Sequence, residues 1–114
     1  MEVGIDIVKI DRFNRIILEH KKYGKILSEK EIQLFSSFST DSRKMEFIAG
    51  RFAAKEAIFK ALSKLNVAFT FPQVSILGDE KGSLTVSFAS PIAFQVLVSI
   101  SHSEDNAVGM ALVV

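Results

Sequence analysis

No cysteine occurs among the 114 residues, which excludes a disulfide framework, a zinc knuckle and a thiol nucleophile. Neither sign of charge dominates. Fourteen Lys and Arg stand against thirteen Asp and Glu, and a net charge of +1 argues against dedicated nucleic-acid binding. No apolar run approaches the length of a bilayer span. Acidic Glu2 and Asp6 stand where a secretory leader would be basic, and the apolar stretch around them is too short for one. These absences predict a cytoplasmic chain with no membrane and no nucleic acid as partner. What is plentiful is apolar: 48% hydrophobic residues with ten phenylalanines. That load predicts one well-filled domain over residues 1–114, with a face buried in an oligomer.

The chain is organised around Ala49–Leu62, a run of good helix formers within a proline-free stretch from Ser42 to Lys64. At 3.6 residues per turn it carries two apolar stripes. Phe47, Ala54, Ile58, Ala61 and Leu65 form one; Ile48, Phe52 and Phe59 form the other. Between them run Lys44, Arg51 and Lys55 on one side and Glu56, Lys60, Ser63 and Lys64 on the opposite side. A helix packed on two faces hems in its charged stripes, where ionised groups need partners or ligands. Glu56 and Lys60, one turn apart, are therefore either an ordinary helical ion pair of a few tenths of a kcal/mol or a pair set up for chemistry. Gly50 in the helix interior costs about 1 kcal/mol relative to alanine and predicts a close neighbour.

Upstream, Glu2–Ile10 alternates as a strand, Val3, Ile5 and Ile7 on one face and Gly4, Asp6, Val8 and Ile10 on the other. Asp6 is out of place between two isoleucines. It either lies near an exposed strand end or meets a cation, and a divalent metal shared with Glu56 is the sharper expectation. Asp11 is placed to cap a helix over Arg12–Lys22, with Phe13, Ile16 and Ile17 inward and Gly24 as its stop. Residues 9–25 carry six basic groups against Asp11 and Glu19, whereas residues 66–114 hold Lys81 against four carboxylates. This basic segment is either a site for an acidic partner or a solvated helix face. Ser28 and Glu31 form a capping-box pattern opening a short helix, and Thr40, Asp41 or Ser42 caps the central one.

Beyond Asn66 the period changes to two. Val74–Leu77 and Leu84–Phe88 predict a hairpin, Ser90-Pro91 opens a short helix through Phe94, and Val96–Ser101 and Ala107–Val113 complete the strands. Ser101 and His102 stand where a strand meets its turn. A serine–histidine hydrolase is disfavoured there because adjacent strand residues point to opposite faces. A histidine bonded within the turn, or one donating to a phosphate, is left open.

Three stretches together resemble one family. Gly4-Ile5-Asp6-Ile7, the block Phe47–Ala57 (Phe-Ile-Ala-Gly-Arg-Phe-Ala-Ala-Lys-Glu-Ala) and Ser99-Ile100-Ser101-His102-Ser103 are similar, in order and spacing, to the signature blocks of the holo-[acyl-carrier-protein] synthases. These are the small bacterial 4′-phosphopantetheinyl transferases. The chain departs from that pattern at Ser63–Val67, where the family often has a glycine-rich turn, at Lys81-Gly82-Ser83 in the hairpin, and at Asn106, where an aromatic is frequent.

The resemblance implies an α+β fold with three N-terminal helices packed on a largely antiparallel sheet. It implies transfer of 4′-phosphopantetheine from coenzyme A to a serine of apo acyl carrier protein, releasing adenosine 3′,5′-bisphosphate, a step belonging to fatty acid biosynthesis. Asp6 and Glu56 would hold Mg2+; Glu56, or a water on the metal, would take the serine proton, and Lys60 would offset charge on the phosphate under attack. Arg51, Lys44 and His102, with Arg43 more weakly, would contact coenzyme A phosphates. Arg12, Arg15 and Lys22 would dock the acidic carrier. Active sites between the subunits of a homotrimer are implied as well. A non-catalytic carrier-binding module and a metal-dependent nucleotide phosphohydrolase are the alternatives.

Overall fold

The computed structural model describes residues 1–114. Strand β1 (Glu2–Lys9) leads through two 3-10 turns, Ile10–Phe13 and Ile16–Leu18, into the short helix α1 (His20–Tyr23). Helix α2 (Glu29–Ser36) and the 23-residue helix α3 (Asp41–Ser63) follow. A further 3-10 turn (Phe71–Gln73) opens β2 (Val74–Gly78), which pairs with β3 (Leu84–Phe88). Strands β4 (Val96–His102) and β5 (Asn106–Val113) close the chain. The fold is α+β with wholly antiparallel pairing, but the strands form two sheets: β1-β5-β4 and the hairpin β2-β3.

Helix α3 lies along the inner face of the three-stranded sheet because the sequence removes side chains where the two meet. A Cβ on Gly4 would fall 2.0 Å from the Ala57 carbonyl oxygen, and one on Gly109 would fall 2.3 Å from the Ala54 nitrogen. The neighbour expected at Gly50 is Ile100, whose Cγ2 would lie 2.9 Å from a Cβ there. One end of α3 packs with Phe13, Ile17, Leu27 and Phe35, and the other with Val74, Ile76, Ala111 and Val113. Thr40 caps the start, its hydroxyl accepting from Arg43 N at 3.1 Å. At the far end Asn66 adopts φ 58°, a left-handed conformation that asparagine tolerates, and Val67 N donates to Leu62 O at 3.1 Å. Asparagine thus serves the turn for which the resembled family often uses glycine.

Several expectations are corrected. The helix over Arg12–Lys22 is three short pieces, and Asp11 caps none of them; Lys9 precedes the first turn without a side-chain cap. Asn14 and the β-branched Ile16 and Ile17 are weak helix formers. The segment is held instead by burial of Ile10, Phe13 and Ile17. No helix forms after Ser90. A one-turn helix cannot offset its nucleation cost, and the segment is held at both ends by backbone bonds, Ala89 N to Gln73 O and Gln95 N to Val114 O. Phe59, placed in an apolar stripe, is 50% exposed. No helix is long and apolar enough to cross a membrane.

The sheet's outer face is uncovered and apolar. Its rows across β1, β5 and β4 are Val3–Leu112–Leu97, Ile5–Met110–Ser99 and Ile7–Val108–Ser101. Ile5 is 62% exposed and Ile7 63%.

Candidate active site

Asp6 sits on the inner face of β1, an edge strand, opposite Gly109. Its position at the sheet rim explains how a carboxylate is tolerated there, and its side chain is only 18% exposed. Lys60 reaches it across the rim: Nζ donates to Asp6 Oδ1 at 3.0 Å and to Ile5 O at 2.9 Å. Glu56, one turn back on the same side of α3, is half-buried and has no ion-pair partner. The ordinary Glu56–Lys60 helical pair is therefore not formed; Lys60 turns to β1 instead. Asp6 and Lys60 meet at one edge of the helix–sheet junction, beside a shallow hollow of about 300 Å³ lined by Ile5, Asp6, Ile7, Lys60 and Val108; Glu56, one turn back on α3, is not among its lining residues.

The proposed phosphate contacts do not converge on that edge. Lys44 and Arg51 share the stripe of α3 that faces α2 and the β2-β3 hairpin, roughly 140° round the helix from Glu56 to Arg51. Lys44 Nζ lies 5.5 Å from the Phe35 ring centre, and the Arg51 guanidinium 4.2 Å from that of Phe47. Arg51 Nε donates to Ile76 O at 3.1 Å. Burial holds the Arg51 guanidinium below its ordinary pKa, opposed by Glu31 and reinforced by Arg43. His102 ends β4 on the inner face of the sheet, its Nδ1 3.7 Å from Glu46 Oε2. It makes no hydrogen bond with Ser101, so no serine–histidine dyad is assembled.

The buried charge on α3 is one residue before the expected one. Lys55 and Glu31 are both fully buried and paired. Lys55 Nζ uses all three protons, donating to Glu31 Oε1, Ile26 O at 2.8 Å and Phe71 O at 2.9 Å. Desolvation lowers the Lys55 pKa, and Glu31 opposes that shift. Glu31 Oε1 also accepts from Ser28 N at 2.8 Å, completing the capping box, while Oε2 accepts from Ile76 N at 2.9 Å. The capping-box pattern was the only sequence signal of Glu31, and it reveals nothing of this second role.

The basic segment is solvent-facing. Arg15 is exposed, Lys22 pairs with Glu19 at 2.8 Å, and Arg12 stacks 4.9 Å from the Phe52 ring centre. Leu18 stands among them 69% exposed.

Residues 2–112 match the family model of the 4′-phosphopantetheinyl transferase superfamily. A holo-[acyl-carrier-protein] synthase of Geobacillus sp. is 37% identical over 97% of this chain and 93% of its own length. One from Staphylococcus carnosus is 38% identical over 96% and 93%. Among solved structures, the Bacillus anthracis synthase in complex with CoA (3′,5′-ADP) superposes with a TM-score of 0.84 at 32% identity, covering 98% of this chain and 94% of that one. The Helicobacter pylori synthase in complex with coenzyme A gives 0.81 at 28% identity, covering 98% and 99%. The chain belongs to the holo-[acyl-carrier-protein] synthase family, within the 4′-phosphopantetheinyl transferase superfamily.

Proposed function

We propose that residues 1–114 act as one catalytic unit, a cytoplasmic synthase transferring 4′-phosphopantetheine from coenzyme A to a serine of apo acyl carrier protein. The observation that carries the reading is the Asp6–Lys60 contact with Glu56 one turn away, on a chain similar along its length to such synthases. In the transfer, the serine oxygen bonds to the phosphorus bearing the pantetheine arm. The bond from that phosphorus to the bridging oxygen breaks, and the electron pair leaves on adenosine 3′,5′-bisphosphate. Glu56, half-buried and free of an ion pair, accepts the serine proton. Lys60 offsets charge that builds on the transferring phosphoryl oxygens.

Asp6 and Glu56 fit Mg2+. Both are oxygen donors, and no group of three or more acidic or histidine side chains forms a fuller ligand set. A site of one or two carboxylates completed by substrate phosphates and water is the usual way Mg2+ is held. When bound, the ion would polarise phosphoryl oxygens as a Lewis acid. The chain's own contribution is to hold the two carboxylates at one rim, with Lys60 positioning Asp6.

Arg51, Lys44, His102 and Arg43 are proposed as phosphate contacts. Arg51 and Lys44 face away from Asp6 and Glu56 in their own chain, and the outer sheet face is apolar and open. Both features favour a homotrimer whose active sites lie between subunits, one supplying the carboxylates and its neighbour the phosphate contacts. Arg12, Arg15 and Lys22, with exposed Leu18 among them, suit an acidic carrier surface with an apolar spot.

Incubation with coenzyme A, Mg2+ and apo carrier, followed by mass spectrometry, tests the reading. Carrier gaining the phosphopantetheine mass is the expected result. Coenzyme A cleaved without carrier would indicate a nucleotide phosphohydrolase, and carrier bound but unmodified a non-catalytic binding module.

A further inference from the structure

The outer edge of β2 has no strand beside it. An edge strand leaves backbone donors and acceptors in need of cover. At Ile76, fully buried, both are covered by side chains. Glu31 Oε2 accepts from the amide N–H at 2.9 Å, and Arg51 Nε donates to the carbonyl at 3.1 Å. One residue's backbone is thus gripped by a carboxylate from α2 and a guanidinium from α3. Glu31 is itself immobilised by Ser28 N and by Lys55, which also holds Ile26 O and Phe71 O.

We propose that Glu31 is a positioning residue for the coenzyme A site, fixing the Arg51 guanidinium through the Ile76 backbone so that its terminal nitrogens present to a phosphate. The inference rests on Arg51 as a phosphate contact. An arginine has five N–H donors in a rigid fork. With Nε committed to Ile76 and the guanidinium carbon 4.2 Å over the centre of the Phe47 ring, the direction of the remaining donors is set before any ligand arrives. Preorganisation of that kind raises affinity by removing ordering cost. Glu31 acts at one remove, and no ligand contact is assigned to it.

The test is a double-mutant cycle on the KM for coenzyme A, in full-length protein under conditions where KM reports binding. Arg51→Ala is expected to raise that KM, and Glu31→Gln to raise it about tenfold, equivalent to about 1.4 kcal/mol. With Arg51 already alanine, Glu31→Gln should add less than about twofold, since its effect travels through Arg51. Equal effects in both backgrounds would overturn the proposal, leaving Glu31 a purely structural residue. Should Arg51→Ala leave the KM unchanged, the phosphate reading itself falls and takes the proposal with it, an outcome distinct from additivity.

Because Glu31→Gln strands a buried lysine, Glu31→Gln/Lys55→Met is the companion variant, which removes the lysine charge together with that of its partner. In whichever variant folds, the Arg51 Nε–H resonance gives a readout apart from activity. It should shift and exchange faster with solvent than in wild type, and an unaltered resonance would overturn the proposal.

Discussion

Lys60 and Asp6 lie 54 residues apart in sequence and 3.0 Å apart in space, an ion pair joining the last turns of α3 to an edge strand. The side chains are 49% and 18% exposed respectively, so the pair is partly screened and adds at most about 1 kcal/mol of stability. Its value is positional. Lys60 turns from its own helix to β1 and holds Asp6 there, with Glu56 one turn toward the start of α3. Gly4 lets β1 touch α3 at Ala57, the residue next to Glu56.

Asp6→Ala and Glu56→Gln should each lower turnover by about a hundredfold or more, as expected when a Lewis-acid site is lost. Neither residue is in the core, so circular dichroism should show both variants folded. Chelator should silence the wild type, and added Mg2+ should restore it. Near-normal turnover of either variant at saturating Mg2+ would rule out a shared site.

The uncovered sheet face predicts assembly. Light scattering at micromolar concentration should give three times the 12.6 kDa chain mass. Ile5→Asp, at the middle row beside Met110, should dissociate the assembly and abolish transfer while keeping the monomer fold. A wild-type monomer in solution would remove the basis for sites shared between subunits.

Legibility in the sequence followed periodicity. Helix α2, helix α3 and strands β1 to β5 were readable because long apolar patterns and caps such as Ser28 and Thr40 agree with the final structure. The Arg12–Lys22 segment was not, because its apolar spacing suits a helix while packing of Phe13 and Ile17 wins over local propensity. Asp6 was detectable as a carboxylate among isoleucines. Lys55 appeared as one more charge on a stripe, since nothing local indicates that Glu31, 24 residues away, returns to meet it. The break into two sheets rests on long-range pairing, β1 with β5, which no local pattern encodes.

The buried pair gives a pH signature. Lys55 has a folded pKa lowered from 10.5, desolvation being the main cause. Between the folded pKa and 10.5 the unfolded chain binds more protons at this residue than the native one, so this group's contribution to stability rises with pH. Below the folded value the cost of burying the cation is present in full. Denaturation of wild type beside Glu31→Gln/Lys55→Met should therefore show the difference shifting in favour of wild type as pH climbs toward 10.5. A pH-independent difference would mean that Lys55 titrates normally.

Docking of the carrier should be separable from coenzyme A binding. Arg12 is unsuitable for the test, because its guanidinium stacks on Phe52 and charge reversal would also disturb packing. Arg15 and Lys22 are exposed, and Lys22 loses only a surface pair with Glu19. Arg15→Glu/Lys22→Glu should raise the carrier KM by about tenfold and slow association, since charges at an interface rim act chiefly on encounter rate. The KM for coenzyme A should move little, its proposed contacts lying on α3 and, at His102, on β4. Salt supplies the discriminating measurement, because the attraction between exposed charges is screened beyond about 10 Å at 0.1 M. Wild type should lose carrier affinity as salt rises, and the reversed variant should lose much less. Equal salt sensitivity in the two proteins would reduce the basic segment to a solvated surface.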